Sequence, residues 1–310
     1  MKTSPVTPQD LSASVLAVPP LARRADLSLD PAANRALIRH LEAGGVSTLM
    51  YGGNANFYNL GVGDYAGVLD LLEAEAAAES WVIPSIGPAF GIAMDQAKIL
   101  RPRAFPTAMA LPMAAQVTPE GAEAGLARVA EAFGRPLIVY IKADSYLRPE
   151  GLARLARSGA VAAVKYAVER PAVSPDPYLR ALIDAIGADR IVSGMGELPG
   201  VAHLRAFGLA AFTSGSVCIA PRLSTAILSA CRRGDFAAAE RLRAAFVPLE
   251  SLRNELSQIR VLHEAVRLAG VAETGPLLPH LSNIDPAHHA AIGAAARALL
   301  AADRDLPLAA

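Results

Sequence analysis

The sequence predicts an α/β protein: a (β/α)8 TIM barrel over residues 1–234, followed by a C-terminal three-helix subdomain over residues 235–310. Three observations lead to that expectation. Short apolar runs rich in β-branched residues recur eight times, and each is followed by a stretch with helical periodicity. The runs are close to continuously apolar, as strands buried on both faces are, which suits a parallel sheet. The alternation stops after Gly234, beyond which no strand-like run occurs. Eight such units fit a closed barrel better than a doubly wound sheet, which usually holds fewer strands.

In order, the runs are SVLAVPPL (14–21), STLMYGG (47–53), SWVIPSIG (80–87), AFPTAMALP (104–112), RPLIVYIK (135–142), AVAAVKYA (160–167), RIVSGMGE (190–197) and AAFTSGS (210–216). The helices between them carry chemical punctuation. Asp30-Pro31 and Asp176-Pro177 place a capping carboxylate ahead of a proline at the first helical position. Gly44, Gly134, Gly187 and Gly208 stand where a left-handed C-cap is wanted. After residue 235 the stretches FAAAERLRAAFVPLESLRN, QIRVLHEAVRLAG and PAHHAAIGAAARALLAA are amphipathic and predict three packed helices.

Composition narrows the function classes. A chain of 310 residues with 53% hydrophobic and 19% charged residues is too apolar to be disordered. Its formal net charge of zero gives no field for a nucleic-acid backbone or an anionic membrane surface, so neither partner is expected. No apolar stretch approaches the roughly 20 residues that span a bilayer. The N-terminus reads as no signal peptide, and Cys218 and Cys231 form no disulfide framework, so a reducing, cytoplasmic setting is expected. Gly52-Gly53 and Gly194-Met195-Gly196 complete no dinucleotide fingerprint. The His288-His289 pair reads as solvated helix surface rather than a metal site.

Active sites of such barrels lie at the C-terminal ends of the strands. Lys165 ends the sixth run, and by the period of two it shares a face with Val161 and Ala163, pointing into the barrel. This chain has four lysines among its 29 basic residues, which makes one at the end of an apolar strand conspicuous. An amine there loses basicity through desolvation, becomes neutral, and can attack a carbonyl to form an imine. A lysine whose stem lines the strand while its head reaches the rim is the plain alternative. Tyr140 lies on the inward face of the fifth run, one strand away, where a phenol can shuttle protons. Lys142, two residues on and at the mouth, could bind an anionic end of a substrate or simply reach water. Ser193 and Glu197 are further pocket candidates. Ser214-Gly215-Ser216, ahead of a helix, could cradle a phosphate.

These residues resemble the family of dihydrodipicolinate synthase and N-acetylneuraminate lyase, Schiff-base (class I) aldolases acting on pyruvate and other 2-keto acids. The resemblance rests on LIVYIK with Tyr140, AAVKYA with Lys165, the Ser-Gly pair of IVSGMGE and the stretch FTSGSVCIAPRLS. It implies that Lys165 forms the imine with no external cofactor, that Tyr140 relays protons, and that the assembly is a homotetramer, with a dimer left open. The family's Gly-Thr-Thr-Gly-Glu motif is replaced by Gly52-Gly53-Asn54-Ala55-Asn56, so the Gly53 and Asn54 amides are expected to hold the keto acid's carboxylate. Met113 and Ala114 stand where the synthase donates a tyrosine across its interface. Ser145 stands in place of its second-substrate arginine, with Arg148 three residues further on. The expected function is a Schiff-base lyase (aldolase) acting on pyruvate or a related 2-keto acid. The alternatives are a dehydratase of a 2-keto-3-deoxy sugar acid through the same imine, 4-hydroxy-tetrahydrodipicolinate synthase itself, or a catalytically weak keto-acid-binding homologue.

Overall fold

A computed structural model describes residues 1–307. The last three residues of the expected C-terminal subdomain, 308–310, lie outside the described residues. Each of the eight apolar runs contains one strand: β1 Leu16–Ala17, β2 Thr48–Tyr51, β3 Trp81–Ile86, β4 Ala108–Ala110, β5 Leu137–Ile141, β6 Val161–Tyr166, β7 Ile191–Ser193 and β8 Ala211–Ser214. All neighbouring pairs are parallel, and β8 closes on β1 with Leu16 opposite Thr213, so the barrel has no free edge. β1 is short because Pro19 and Pro20 follow it and neither has an N–H to donate.

The helices are α1 Pro8–Ala13, α2 Pro31–Ala43, α3 Val62–Glu75, α4 Phe90–Leu100, α5 Pro119–Phe133, α6 Pro149–Arg157, α7 Pro177–Ile186, α8 Glu197–Phe207, α9 Pro221–Arg232, α10 Phe236–Arg243, α11 Val247–Glu255, α12 Gln258–Leu268 and α13 His289–Asp305. The Asp-Pro starts behave as expected: Asp30 accepts from the Ala33 N–H and Asp176 from the Leu179 N–H, each at 3.0 Å. Gly134 and Gly208 are left-handed caps. Gly44 is not, having φ −87°; the turn is made by Gly45 at φ 87°. Gly44 is needed for a different reason: a Cβ on it would lie 2.3 Å from Pro221, where the end of α2 meets the start of α9. α1, which was not expected, packs against the turn 188–190 ahead of β7, away from the strands' C-terminal ends.

Beyond the barrel, four helices stand where three were expected. The first amphipathic stretch is broken at Ala244–Phe246 into α10 and α11, with Pro248 in the first turn of α11. These helices share one continuous hydrophobic core with the barrel, which includes Leu249, Leu262 and Leu299. An extended segment over 271–285, also unexpected, ties them to the strand ends: the Arg23 N–H donates to Thr274 O, and the Asn56 amide to Leu278 O.

β5 and β6 are level where it matters. A bulge between Leu137 and Ile138 displaces the far end of the pair, after which the register runs unbroken and sets Tyr140 opposite Lys165. The outward neighbour, Tyr166, donates to Asp176 Oδ2 at 2.5 Å, and Asp176 also pairs with Arg170 at 3.0 Å and caps α7. A carboxylate buried with three partners is costly to remove, because it orphans an arginine and a helix N-terminus together. Asp176→Ala is expected to lower unfolding stability by about 2–4 kcal/mol, measured by urea denaturation; a loss below about 0.5 kcal/mol would contradict this role.

Candidate active site

At the C-terminal end of the strands lies a cavity of about 100 Å³, roughly the space of three waters and so of a three-carbon acid. Two larger hollows exist, one at the surface beside Arg260, Glu264 and His289 and one between α4 and α5. The small cavity is the one lined by the buried Lys165 amine.

Lys165 is 4% exposed, and its Nζ lies 4.4 Å from the centre of the Tyr140 ring. Among the described residues no carboxylate pairs with it. Burial first, then the charges of Lys142 and Arg253, lower its pKa to about 7. Like-charge neighbours and apolar walls thus yield a substantial neutral fraction near pH 7, whereas an ordinary lysine is almost wholly protonated there. Gly194 packs against the stem, where a Cβ would sit 3.0 Å from Lys165 Cγ. Tyr140 also lines the cavity, and burial is the main reason its phenol is pushed up. It therefore stands protonated. Lys142 lies at the mouth, exposed, with its Nζ 6.0 Å from the same ring.

Gly53 and Asn54 also line the cavity. Neither backbone N–H meets an acceptor among the described residues, so both can hold an anion. The Asn54 side chain is partly committed, since Nδ2 donates to Val18 O at 2.8 Å and fixes the loop to the end of β1.

Three expected residues lie elsewhere. Ser193 is fully buried, with Oγ 2.8 Å from His203 Nδ1, behind the strand. Glu197 starts α8 and is buried against Ser224; burial, then the Glu250 carboxylate, pushes it above the ordinary carboxylate range. Ser214 Oγ accepts from the Val217 N–H at 2.9 Å and holds the turn after β8. The Ser214-Gly215-Ser216 loop, a candidate phosphate cradle, has both hydroxyls engaged, since Ser216 Oγ donates to the Glu250 carboxylate and Ser214 Oγ accepts from Val217. Arg148 is at the surface, paired with Glu120 at 2.8 Å, and Met113 lines the α4–α5 hollow. His289 lies 3.3 Å from Glu264, so it is less solvated than expected.

The cavity also holds residues the sequence did not disclose. Tyr58 comes from the short turn after β2, and Glu250, Arg253, Gln258 and Ile259 come from α11 and α12, which reach over the barrel mouth. Nothing marks Arg253 in the sequence: arginine is abundant in this chain, and the residue sits in an ordinary amphipathic stretch.

A barrel with a desolvated lysine, a tyrosine and an amide-lined wall at its catalytic end has the makings of a lyase that works through a carbonyl. Comparison with known proteins agrees. Residues 14–298 match the model of the dihydrodipicolinate synthetase family, and the chain belongs to that family. It is accordingly a carbon–carbon or carbon–oxygen lyase. Over 292 residues it is 27% identical to a probable 5-dehydro-4-deoxyglucarate dehydratase 2 of Streptomyces coelicolor, covering 92% of this chain and 88% of the relative. Its fold is shared by a wild-type sialic acid aldolase of Ruminococcus gnavus, with a TM-score of 0.83 at 15% identity over 96% of this chain and 100% of the other. It is shared also by YagE, an E. coli K12 prophage protein solved with pyruvate, with a TM-score of 0.75 at 20% identity over 92% and 98%.

Proposed function

We propose that the protein is a Schiff-base lyase acting on pyruvate or a related 2-keto acid, with Lys165 as nucleophile. The observation that carries this is the buried Lys165 amine, lowered to about 7 and set against Tyr140 at the barrel's catalytic end. The neutral amine adds to the C2 carbonyl. Tyr140 donates its proton to the hydroxyl of the carbinolamine, which departs as water, and the iminium forms. The iminium then accepts the electron pair released at C3. In an aldolase that pair comes from the C3–C4 bond as the 4-hydroxyl gives its proton to the Tyr140 phenolate and an aldehyde leaves. In a dehydratase it comes from the C3–H bond, whose proton passes to the Tyr140 phenolate, and the resulting enamine expels the C4 hydroxyl as water with the proton that the phenol returns.

The 27% identity to a probable dehydratase over most of the chain favours the second course as the alternative reading. Lys142 at the mouth suits it, since a sugar diacid would carry its far carboxylate there. Ser145, which stands in place of the synthase's second-substrate arginine, does not line the cavity. This argues against lysine-precursor synthesis. The resemblance further implies a homotetramer, with a dimer as the smaller option, to be read by light scattering. Two free, buried cysteines suit a cytoplasmic setting. Incubation with a panel of 4-hydroxy-2-keto acids and 2-keto-3-deoxy sugar diacids decides the course: released pyruvate marks an aldolase, and an unfragmented product one water lighter marks a dehydratase. Neither product from any of them would leave only the keto-acid-binding reading.

The pH dependence has a definite sign. Because the neutral amine attacks, kcat/KM is expected to rise about tenfold per pH unit below about 7 and to level above it. A profile flat from pH 5.5 to 8.5 would contradict the role of this amine.

A further inference from the structure

Resting on the imine reading, we propose that Arg253, carried by α11 from outside the barrel, receives the keto acid's C1 carboxylate together with Asn54 and the Gly53 and Asn54 backbone amides. Its side chain is 7% exposed. Nη1 is held by Glu250 Oε1 at 2.6 Å and Ser216 Oγ at 3.3 Å, and Nε by Gln258 O at 3.2 Å. Nη2 meets no acceptor among the described residues, although the residue lines the cavity. Gly215 leaves room beside it: a Cβ there would lie 2.6 Å from Arg253 Nη2 and 2.8 Å from Asn54 Nδ2. Both donors therefore border one spot over Gly215, in the cavity that Gly53 and Asn54 also line.

Charge points the same way. Around the cavity stand Lys142, Arg253 and Lys165 against Glu250. Cationic side chains thus outnumber carboxylates around the cavity, which suits an anionic ligand. Glu250, with Ser216 and Gln258 O, aims the guanidinium by holding Nη1 and Nε, leaving Nη2 without an acceptor among the described residues. A buried ion pair retained for packing alone would be poorly justified, since apolar residues of similar volume fill such sites as well or better. An arginine placed by the C-terminal helices thus supplies the charged hydrogen bond for which the chain's Gly-Gly-Asn loop has no hydroxyl.

The test is reductive trapping with borohydride, scored by intact mass against ketone concentration. The probes are pyruvate and the uncharged ketone hydroxyacetone. The double variant Glu250→Met/Arg253→Met removes the pair together, so no orphaned charge stays buried. It is expected to raise the half-saturating pyruvate concentration about tenfold or more beyond any change for hydroxyacetone, which registers the loss of Arg253's effect on the Lys165 amine. Glu250→Gln keeps the guanidinium and is expected to trap pyruvate at the wild-type concentration or lower. Pyruvate trapping unchanged in the double variant, or equal weakening for both ketones, would overturn the assignment. A second readout is independent of the imine: pyruvate should raise the thermal midpoint of Lys165→Ala, and adding Glu250→Met/Arg253→Met should remove that rise. If wild type traps neither ketone, the imine reading fails, and the thermal shift alone then decides for or against Arg253.

Discussion

Lys165→Met is expected to lower turnover by about 10⁴-fold or more and at the same time to make the protein more stable. The first effect follows because methionine cannot form an imine; Lys142 borders the same cavity but stands exposed at its mouth, and Lys2 and Lys98 are in surface ion pairs with Asp10 and Asp95. The second follows from linkage. The folded-state pKa of about 7 lies below the ordinary lysine value, so between about 7 and 10.5 the folded protein binds fewer protons than the unfolded chain. Stability therefore rises with pH across that window, and the full penalty of burying the ammonium is present below about 7. Methionine fills the same apolar space without a charge. The gain in thermal midpoint should be largest at pH 6 and shrink toward pH 10. Loss of activity accompanied by loss of stability at pH 6 would show instead that Lys165 is a structural residue.

Tyr140→Phe is expected to lower kcat by about 10²–10⁴-fold, the range for removing a positioned general acid. The ring that packs 4.4 Å from Lys165 Nζ is preserved, so folding and the lowered lysine pKa should survive. Borohydride trapping should still occur, more slowly, because imine formation then depends on water for its protons. The split between slow chemistry and intact final trapping distinguishes loss of a proton donor from loss of the site. A Tyr140→Phe enzyme with wild-type kcat would assign the proton to another group, and Tyr58, which lines the same cavity, would be the first to examine.

The barrel was legible because strand and helix periodicities differ and because a fully parallel sheet needs apolar runs; every strand lies within its run. Lys165 and Tyr140 were legible for the same reason, since alternation alone puts both on the inward face, and the pairing of β5 with β6 makes them level. What was hidden depends on contacts between elements distant in sequence. Arg253 and Glu250 come from a helix more than 80 residues past Lys165, and nothing in its amphipathic pattern says that it reaches over the barrel mouth. Position near a strand end makes Ser193 and Glu197 pocket candidates in the sequence. The strand is only three residues long, however, and their side chains turn to His203 and Ser224. Gly44 was read as a cap on its position alone, while its actual constraint is the approach of Pro221.

The most direct measurement is peptide mapping by mass spectrometry after the protein is incubated with pyruvate and reduced with borohydride. A single pyruvate-derived adduct on the peptide containing Lys165 is expected, abolished by Lys165→Met. No adduct, or an adduct confined to Lys2, Lys98 or Lys142, would contradict the assignment of Lys165 as the nucleophile.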